Sequence, residues 1–151
     1  MEYHYKPEEV PVSENSKRKI IIWRPIIPVI LVKNRKVVGY EALLDTGADY
    51  NVFHSEIAEI LGIDLTKGKS KKIYGLGGQH IKGYVHNVEL KLQGFSSFKS
   101  EIVFSKQIPE HSIGVLGNTG FFDHYEVIFN YNSKSVKIGT SYNSIQENHG
   151  R

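Results

Sequence analysis

Cysteine is absent from this chain of 151 residues. A disulfide framework and metal sites built on thiolates are therefore excluded, and a reducing compartment is allowed but not established. A strong charge of either sign is absent too, because nineteen Lys and Arg against sixteen Asp and Glu leave a net charge of only +3. That balance does not by itself indicate a nucleic-acid partner, and we expect none.

A long apolar segment is also missing. The most apolar run is IIIWRPIIPVILV, residues 20–32, which has thirteen residues and is interrupted by Arg24, Pro25 and Pro28. It is too short to span a bilayer, and residues 1–19 lack the apolar core of a signal peptide. We therefore expect a soluble, cytoplasmic protein without a membrane partner.

The composition is that of one globular domain, with 40% hydrophobic and 23% charged residues. Residues 1–19 are polar and charged and predict a flexible N-terminal arm. Residues 140–151 are also polar and predict a flexible C-terminal tail. The folded domain is expected over residues 20–139.

Within the domain, β-branched and aromatic residues occur in short runs separated by turn residues, which is typical of strands. Residues 54–63 predict a helix that Ser55 caps and Gly62 ends. Residues 67–72 predict a basic loop, and residues 34–35 a turn. An all-β domain with one or two short helices is therefore expected. The predicted strands lie within 20–23, 26–32, 36–44, 50–53, 86–92, 98–104 and 112–122, with hairpins over 71–85 and 125–139.

The segment EALLDTGADYNVF, residues 41–53, ends an apolar strand on a carboxylate. Asp45 leaves the predicted core at a sharp bend, and burying a carboxylate is costly unless something satisfies or uses it. One interpretation is an ordinary turn, because Asp favours turns and bonds to nearby backbone amides. The other is a functional site, where Gly47 allows a neighbour or ligand to approach the backbone closely.

Several segments together resemble the retropepsins, the single-domain aspartic proteases of retroviruses and of their cellular and bacterial relatives. EALLDTGAD resembles their active-site strand and loop, and IYGLGGQHIKG resembles their flap hairpin. IIIWRPIIPVILV is similar to the N-terminal segment of the viral enzymes, and IGVLGNTGFF to the strand and short helix that close the fold. YEVIFNYNSKSVKI is similar to the segment that follows in cellular relatives. The resemblance covers roughly residues 20–139 and implies a closed β-barrel, the single lobe of the acid protease fold.

The resemblance implies an aspartic endopeptidase that acts on peptides or proteins and needs no cofactor. Such catalysis requires two carboxylates that share a proton and hold a water molecule. The sequence has a single Asp-Thr-Gly, at Asp45. The resemblance therefore implies a homodimer in which the two copies of Asp45 meet at the two-fold axis.

Site roles follow from the resemblance residue by residue. Thr46 would bond across to the loop of the partner subunit, and Gly47 would support the site and offer its carbonyl to the substrate. Arg24 would pair with Asp49 of the partner subunit. The viral enzymes carry an Arg after the closing glycine that braces the active-site loop, whereas Asn118 follows Gly117 here. The residues expected to contact substrate are Ala48, Asp49, Gly75, Leu76, Gly77, Gly78 and Val115, with Val52 as a further subsite residue.

Two other functions are weighed against proteolysis. A peptide-binding or dimerisation module could keep the fold and cleave little, but binding alone does not need the aspartate. A single-stranded nucleic-acid binder would use the lysines of residues 67–72, yet Tyr74 is their only aromatic neighbour. No metal site is expected, because the histidines lack ligand spacing.

Overall fold

The computed structural model describes residues 1–140, so the predicted C-terminal tail lies outside the described residues from position 141 onwards. Strands dominate this part of the chain. None of the helices found in it is long and apolar enough to cross a membrane. The strands are β1 Glu2–His4, β2 Lys6–Pro11, β3 Lys19–Arg24, β4 Ile26–Lys33, β5 Lys36–Leu44, β6 Asn51–His54, β7 Lys69–Tyr74, β8 His80–Lys91, β9 Phe98–Ser105, β10 Gly114–Leu116, β11 Tyr125–Asn130 and β12 Ser135–Thr140, with the helix α1 at Ser55–Ile60 and a 3-10 turn at Leu65–Lys67.

Six strands close into a barrel in the order β4-β5-β10-β6-β9-β8, because β8 also pairs with β4. β7 extends this sheet beyond β8 as one arm of a hairpin. The pairs β5–β10 and β6–β9 are parallel, whereas the other pairs in the barrel are antiparallel. The predicted all-β closed barrel is confirmed.

Strand β4 shows how apolar side chains fill the barrel interior. Alternate residues of a strand point to the same face, and Ile27, Val29 and Leu31 are all buried. Burial of each such side chain contributes about 1.5–3 kcal/mol to folding. The Asn34–Arg35 pair then turns the chain into β5 with φ angles of 51° and 63°, as a two-residue hairpin requires. The predicted turn at residues 34–35 is confirmed.

The predicted helix is present as α1, but its cap differs from the expected one. Ser55 is the first helical residue, and His54 is the N-cap. Nδ1 of His54 accepts a hydrogen bond from the Glu56 backbone N–H at 3.1 Å, because an unprotonated imidazole nitrogen is an acceptor. Gly62 ends the helix with a φ of 68°, as predicted.

The structure corrects two predictions about polar segments. Residues 2–11, expected in a flexible arm, form strands β1 and β2, which pair with β12 and β3. Composition hid these strands because Tyr3 and Tyr5 pack against the core among polar neighbours. Lys69–Lys72, expected in a basic loop, belong to β7, where backbone pairing with β8 outweighs the charge of the side chains.

Candidate active site

Two neighbouring strands hold the end of β5 in position. The Leu44 backbone N–H donates to the Pro25 carbonyl at 2.9 Å, just after β3 ends. The next N–H along, that of Asp45, donates to the carbonyl of Leu116 in β10 at 3.0 Å. Leu44 is buried and Asp45 half-buried. The backbone of Asp45 is thus fixed by the barrel, while its side chain reaches the surface of the cleft.

The loop after Asp45 folds back onto the carboxylate. The Gly47 N–H donates to Oδ1 of Asp45 at 2.9 Å, and the Ala48 N–H donates to the Asp45 carbonyl at 3.1 Å. A Cβ on Gly47 would lie 3.2 Å from Oδ1, so a larger residue would push against the carboxylate. Thr46 and Gly47 are exposed. The local turn and the exposed site are therefore features of the same loop.

A second segment supports the outer part of this loop. The N–H of Asn118 donates to the Ala48 carbonyl at 2.8 Å, and that of Thr119 donates to the Asp49 carbonyl at 2.9 Å. Gly117 packs so closely that a Cβ there would lie 2.6 Å from the carbonyl oxygens of Ala48 and Tyr50. Only glycine fits at this contact. Backbone amides thus hold the loop although no Arg follows Gly117.

Asn51 is a residue of the site that was not predicted from the sequence. It is the first residue of β6 and is fully buried. Its Oδ1 accepts the Gly117 N–H at 2.9 Å. A polar residue that directly precedes the apolar Val52 and Phe53 is the signal that could have revealed it, because buried amides need hydrogen-bond partners.

An open cleft of about 850 Å³ brings most of the predicted site residues together. This volume lies within the range of ligand sites, roughly 300–1,000 Å³. Thr46, Gly77, Gly78 and Arg24 are not among its lining residues. The predicted residues that line it are Asp45, Gly47, Ala48, Asp49, Val52, Gly75, Leu76 and Val115, and those not predicted are Tyr50, Lys72, Ile73, Tyr74, Ile81 and Ile108.

The hairpin of β7 and β8 forms one wall of the cleft. Its tip is closed by a hydrogen bond from the Gly75 N–H to the Gln79 carbonyl at 2.8 Å. Gly77 and Gly78 have φ angles of 89° and 80°, which side chains other than glycine rarely adopt. Leu76 between them and Gly75 is fully exposed. The tip therefore presents an apolar side chain and an exposed glycine backbone.

Arg24 has a partner within its own chain. Its Nε contacts Oε2 of Glu8, which β2 places beside β3. The resemblance implies that Arg24 pairs with Asp49 of the partner subunit, so Glu8 competes for the same guanidinium. Asp49 itself is exposed and lines the cleft.

Glu56 holds the loop that carries Ile108 to the cleft. Its Oε1 accepts the His111 backbone N–H at 2.9 Å, and its Oε2 lies 3.3 Å from His111 Nδ1. The Tyr40 hydroxyl donates to the Ser112 carbonyl at 3.1 Å and lies 3.5 Å from Glu56 Oε1. Burial, and then the charge of Glu56, raise the pKa of Tyr40, so this hydroxyl stays a donor. Glu56 and Tyr40 were not predicted as site residues from the sequence.

The wall formed by β7 also carries positive charge. Nζ of Lys71 lies 3.5 Å from the centre of the Tyr50 ring, within the range of a cation–π contact. Lys72 is exposed and lines the cleft together with the carboxylates of Asp45 and Asp49. Lys71 therefore contacts the active-site loop, and Lys72 faces the cleft.

Residues 31–119, more than half of the chain, match a family model described as aspartyl protease. No curated protein matches the chain. Among solved structures, the fold is similar to that of a retropepsin-like aspartic protease from Rickettsia conorii, with a TM-score of 0.54 and 19% identity over 76% of this chain and 89% of that chain. This similarity confirms the predicted retropepsin-like fold.

Two further solved structures show lower similarity. One is the EIAV protease complexed with the inhibitor HBY-793, with 25% identity, a TM-score of 0.47 and coverage of 71% of this chain and 88% of that chain. The other is the retroviral protease-like domain of Ddi1 from Leishmania major, with 16% identity, a TM-score of 0.45 and coverage of 75% and 87%.

Proposed function

The chain belongs to the aspartyl protease family, and from this premise we propose that it is an endopeptidase that hydrolyses peptide bonds as a homodimer. The placement of Asp45 supports this proposal most directly. The barrel holds the backbone of Asp45 so that its carboxylate lies in a cleft, and the Asp-Thr-Gly that supplies this carboxylate occurs once in the sequence. A second copy of the chain is the simplest source of the second carboxylate.

In the proposed reaction, the two copies of Asp45 share one proton and hold a water molecule. The ionised carboxylate takes a proton from the water, which attacks the peptide carbonyl carbon. The protonated carboxylate gives its proton to the carbonyl oxygen. The tetrahedral intermediate then breaks at the C–N bond, and the leaving nitrogen takes up a proton. Two like charges at close range favour this shared proton, because both carboxylates cannot readily ionise.

The substrate would bind as an extended chain between the Asp45 loop and the β7–β8 hairpin. The hairpin would act as a flap, since its glycine-rich tip exposes backbone groups that can bond to a peptide strand. Substrate side chains would meet an apolar wall, so we expect a preference for hydrophobic residues next to the cleaved bond. This wall consists of Val52, Ile73, Ile81, Ile108 and Val115.

The proposed dimer would join the exposed parts of the loop and the flap, which include Thr46, Gly47 and Leu76. The terminal strands would contribute differently from the interleaved termini of the viral enzymes. Here β12 pairs with β1 and β11 of its own chain, and β3 pairs with β2. We therefore expect a weaker dimer than in the viral enzymes, so that specific activity rises with protein concentration.

The experiment is cleavage of a broad peptide library between pH 3 and 7, at concentrations that span the dimer equilibrium. We expect the wild type to cleave, and Asp45→Asn to lose at least about 10²-fold in kcat because it cannot act as an acid or base. Asp64→Asn is the matched control, because it removes the same charge from a residue outside the cleft. It should retain full activity.

The outcomes separate the proposed protease from a binding module. If wild type and Asp45→Asn both bind peptides as folded dimers and neither cleaves, the chain is a peptide-binding module. If Asp45→Asn cleaves as fast as the wild type, the catalytic role of Asp45 is rejected. Sedimentation at the assay concentrations shows which oligomer was tested.

A further inference from the structure

The buried side chain of Asn51 connects three separate parts of the chain. Besides accepting the Gly117 N–H, it donates through Nδ2 to Oγ of Ser100 at 2.9 Å and to the Glu101 carbonyl at 3.4 Å. Both amide hydrogens and the oxygen therefore have partners. The contacts also define the orientation of the amide, because only Nδ2 can donate to Ser100 and Glu101 and only Oδ1 can accept an N–H.

Ser100 extends the connection to the far end of the supporting turn, residues 117–120. It is buried in β9, and its Oγ donates to the Gly120 carbonyl at 2.8 Å. The turn is thus held at both ends, at Gly117 by Asn51 and at Gly120 by Ser100. Gly120 has a φ of 97°, and a Cβ there would lie 2.6 Å from Nδ2 of Asn51, so the packing leaves no room for a side chain at this position.

The same turn carries the loop on which Asp45 lies. Asn118 and Thr119, between the two held glycines, donate their N–H groups to the carbonyls of Ala48 and Asp49. Leu116, just before the turn, accepts the Asp45 N–H. A shift of the turn would therefore move Ala48 and Asp49 relative to β5, and the carboxylate of Asp45 with them.

We propose that Asn51 and Ser100 are positioning residues for peptide hydrolysis, because they fix the turn that sets the place of Asp45 opposite its copy. This inference rests on the proposed function. The pair takes over the role that the resemblance assigns to an Arg after the closing glycine. Neither side chain is among those that line the cleft, so substrate binding should depend on them little.

The test compares Asn51→Ala and Ser100→Ala with the wild type in kcat, KM and amide hydrogen exchange. We expect kcat to fall about tenfold in Ser100→Ala and up to about 10²-fold in Asn51→Ala, since a displacement near 1 Å can have such an effect. KM should change less than about threefold. Exchange at Gly117 and Asn118 should be at least about tenfold faster, while β8 and β9 away from the pair stay protected.

Ser135→Ala is the matched control. Ser135 is a buried serine whose hydroxyl lies 2.8 Å from that of Ser133, in the sheet of β1, β11 and β12, outside the cleft. It should lower thermal stability without changing kcat per folded dimer. Rates are therefore compared per folded dimer for every variant. If Asn51→Ala does not fold, Ser100→Ala, which keeps the Asn51 amide and its bond to Gly117, decides the question.

The results distinguish this inference from the proposed function. A variant that folds, keeps kcat within twofold of the wild type and leaves exchange at Gly117 unchanged overturns the positioning role. Equal losses of kcat in Ser135→Ala would show a general loss of stability and would overturn it as well. If the wild type cleaves no peptide, the proposed function fails, and unchanged exchange in the variants would then reject the pair as a support of the turn.

Discussion

At the scale of single residues, Ala48 separates this site from that of many pepsins. The resemblance assigns serine to this position in those enzymes, where a hydroxyl can stabilise the ionised aspartate. In this chain the Ala48 N–H donates to the Asp45 carbonyl, and the Ala48 carbonyl accepts the Asn118 N–H. The half-buried methyl group of Ala48 offers no hydrogen-bond donor. Among residues 1–140, the hydrogen bond to the Asp45 carboxylate comes from the Gly47 backbone N–H.

From this difference we predict that activity peaks at mildly acidic pH or closer to neutral, because the methyl group of Ala48 cannot donate a hydrogen bond to a carboxylate. Ala48→Ser should move the pH profile of kcat/KM towards acid by roughly one pH unit, because a hydroxyl that donates to a carboxylate favours the ionised form. Assays from about pH 2 to 7, with the dimer fraction measured at each pH, check this. An optimum at about pH 2 to 3 in the wild type, as for pepsin, contradicts it.

At the scale of elements, helix α1 connects the barrel to a wall of the cleft. Glu56, in the first turn of the helix, accepts the His111 N–H and contacts its ring. His111 has a φ of 59°, an uncommon conformation for a residue with a side chain. The position of Ile108 in the cleft therefore depends on a carboxylate more than fifty residues earlier in the sequence.

We predict that Glu56→Ala raises KM about three- to tenfold for peptides that place a large side chain against Ile108, with a smaller change in kcat. The reason is that the loop loses the hydrogen bond between Glu56 and the His111 N–H. Glu56→Gln keeps an acceptor for the His111 N–H and should lie close to the wild type. Glu59→Ala, an exposed change on the same helix, is the control. Equal KM values in all three variants would show that the loop does not depend on Glu56.

At the scale of the whole molecule, the N-terminal strand completes a sheet formed by the end of the described chain. β1 pairs with β12, and the N-terminal ammonium donates to the Ile138 carbonyl at 2.9 Å. The hydroxyl groups of Tyr3, in β1, and of Tyr125 are buried without a hydrogen-bond partner among residues 1–140. Burial, and then the neighbouring Tyr3, raise the pKa of Tyr125 to about 12.

Because the pKa of Tyr125 is raised, the free energy of unfolding should fall at alkaline pH. Unfolded, Tyr125 loses its proton near the ordinary pKa of 10.0, whereas the folded protein keeps it bound until about pH 12. The stabilisation is therefore complete below pH 10 and is lost as the pH rises through 12. We predict that the free energy of unfolding falls less over this range in Tyr125→Phe than in the wild type.

Urea unfolding at pH 8 and at pH 11 measures this difference. At pH 8 Tyr125→Phe should differ from the wild type by less than about 1 kcal/mol, because the lost hydroxyl has no partner to leave unsatisfied. Tyr74→Phe is the control, since Tyr74 is 65% exposed. A wild type and a Tyr125→Phe variant that weaken equally between the two pH values would refute the prediction.

The sequence by itself determined the parts of this protein that depend on local pattern. Short runs of β-branched and aromatic residues predicted β4 and the strands that follow it, and Asn34 and Gly62 marked a turn and a helix end that both have positive φ in the structure. Turns and element ends are encoded by neighbouring residues, whose φ preferences and side-chain sizes the sequence shows directly. The Asp45 loop, the glycine-rich hairpin and Gly117 were identified in order by their resemblance to segments of the retropepsins.

Only the tertiary structure decided which distant groups meet. Polar residues 2–11 became strands because β12 and β3 supply backbone partners that composition does not show. Glu8 reached Arg24, Glu56 reached His111, and Asn51 met Ser100 and Gly117, across separations of 16 to 66 residues. A buried polar side chain is stable only where its partner arrives, and the closure of the barrel determines that place.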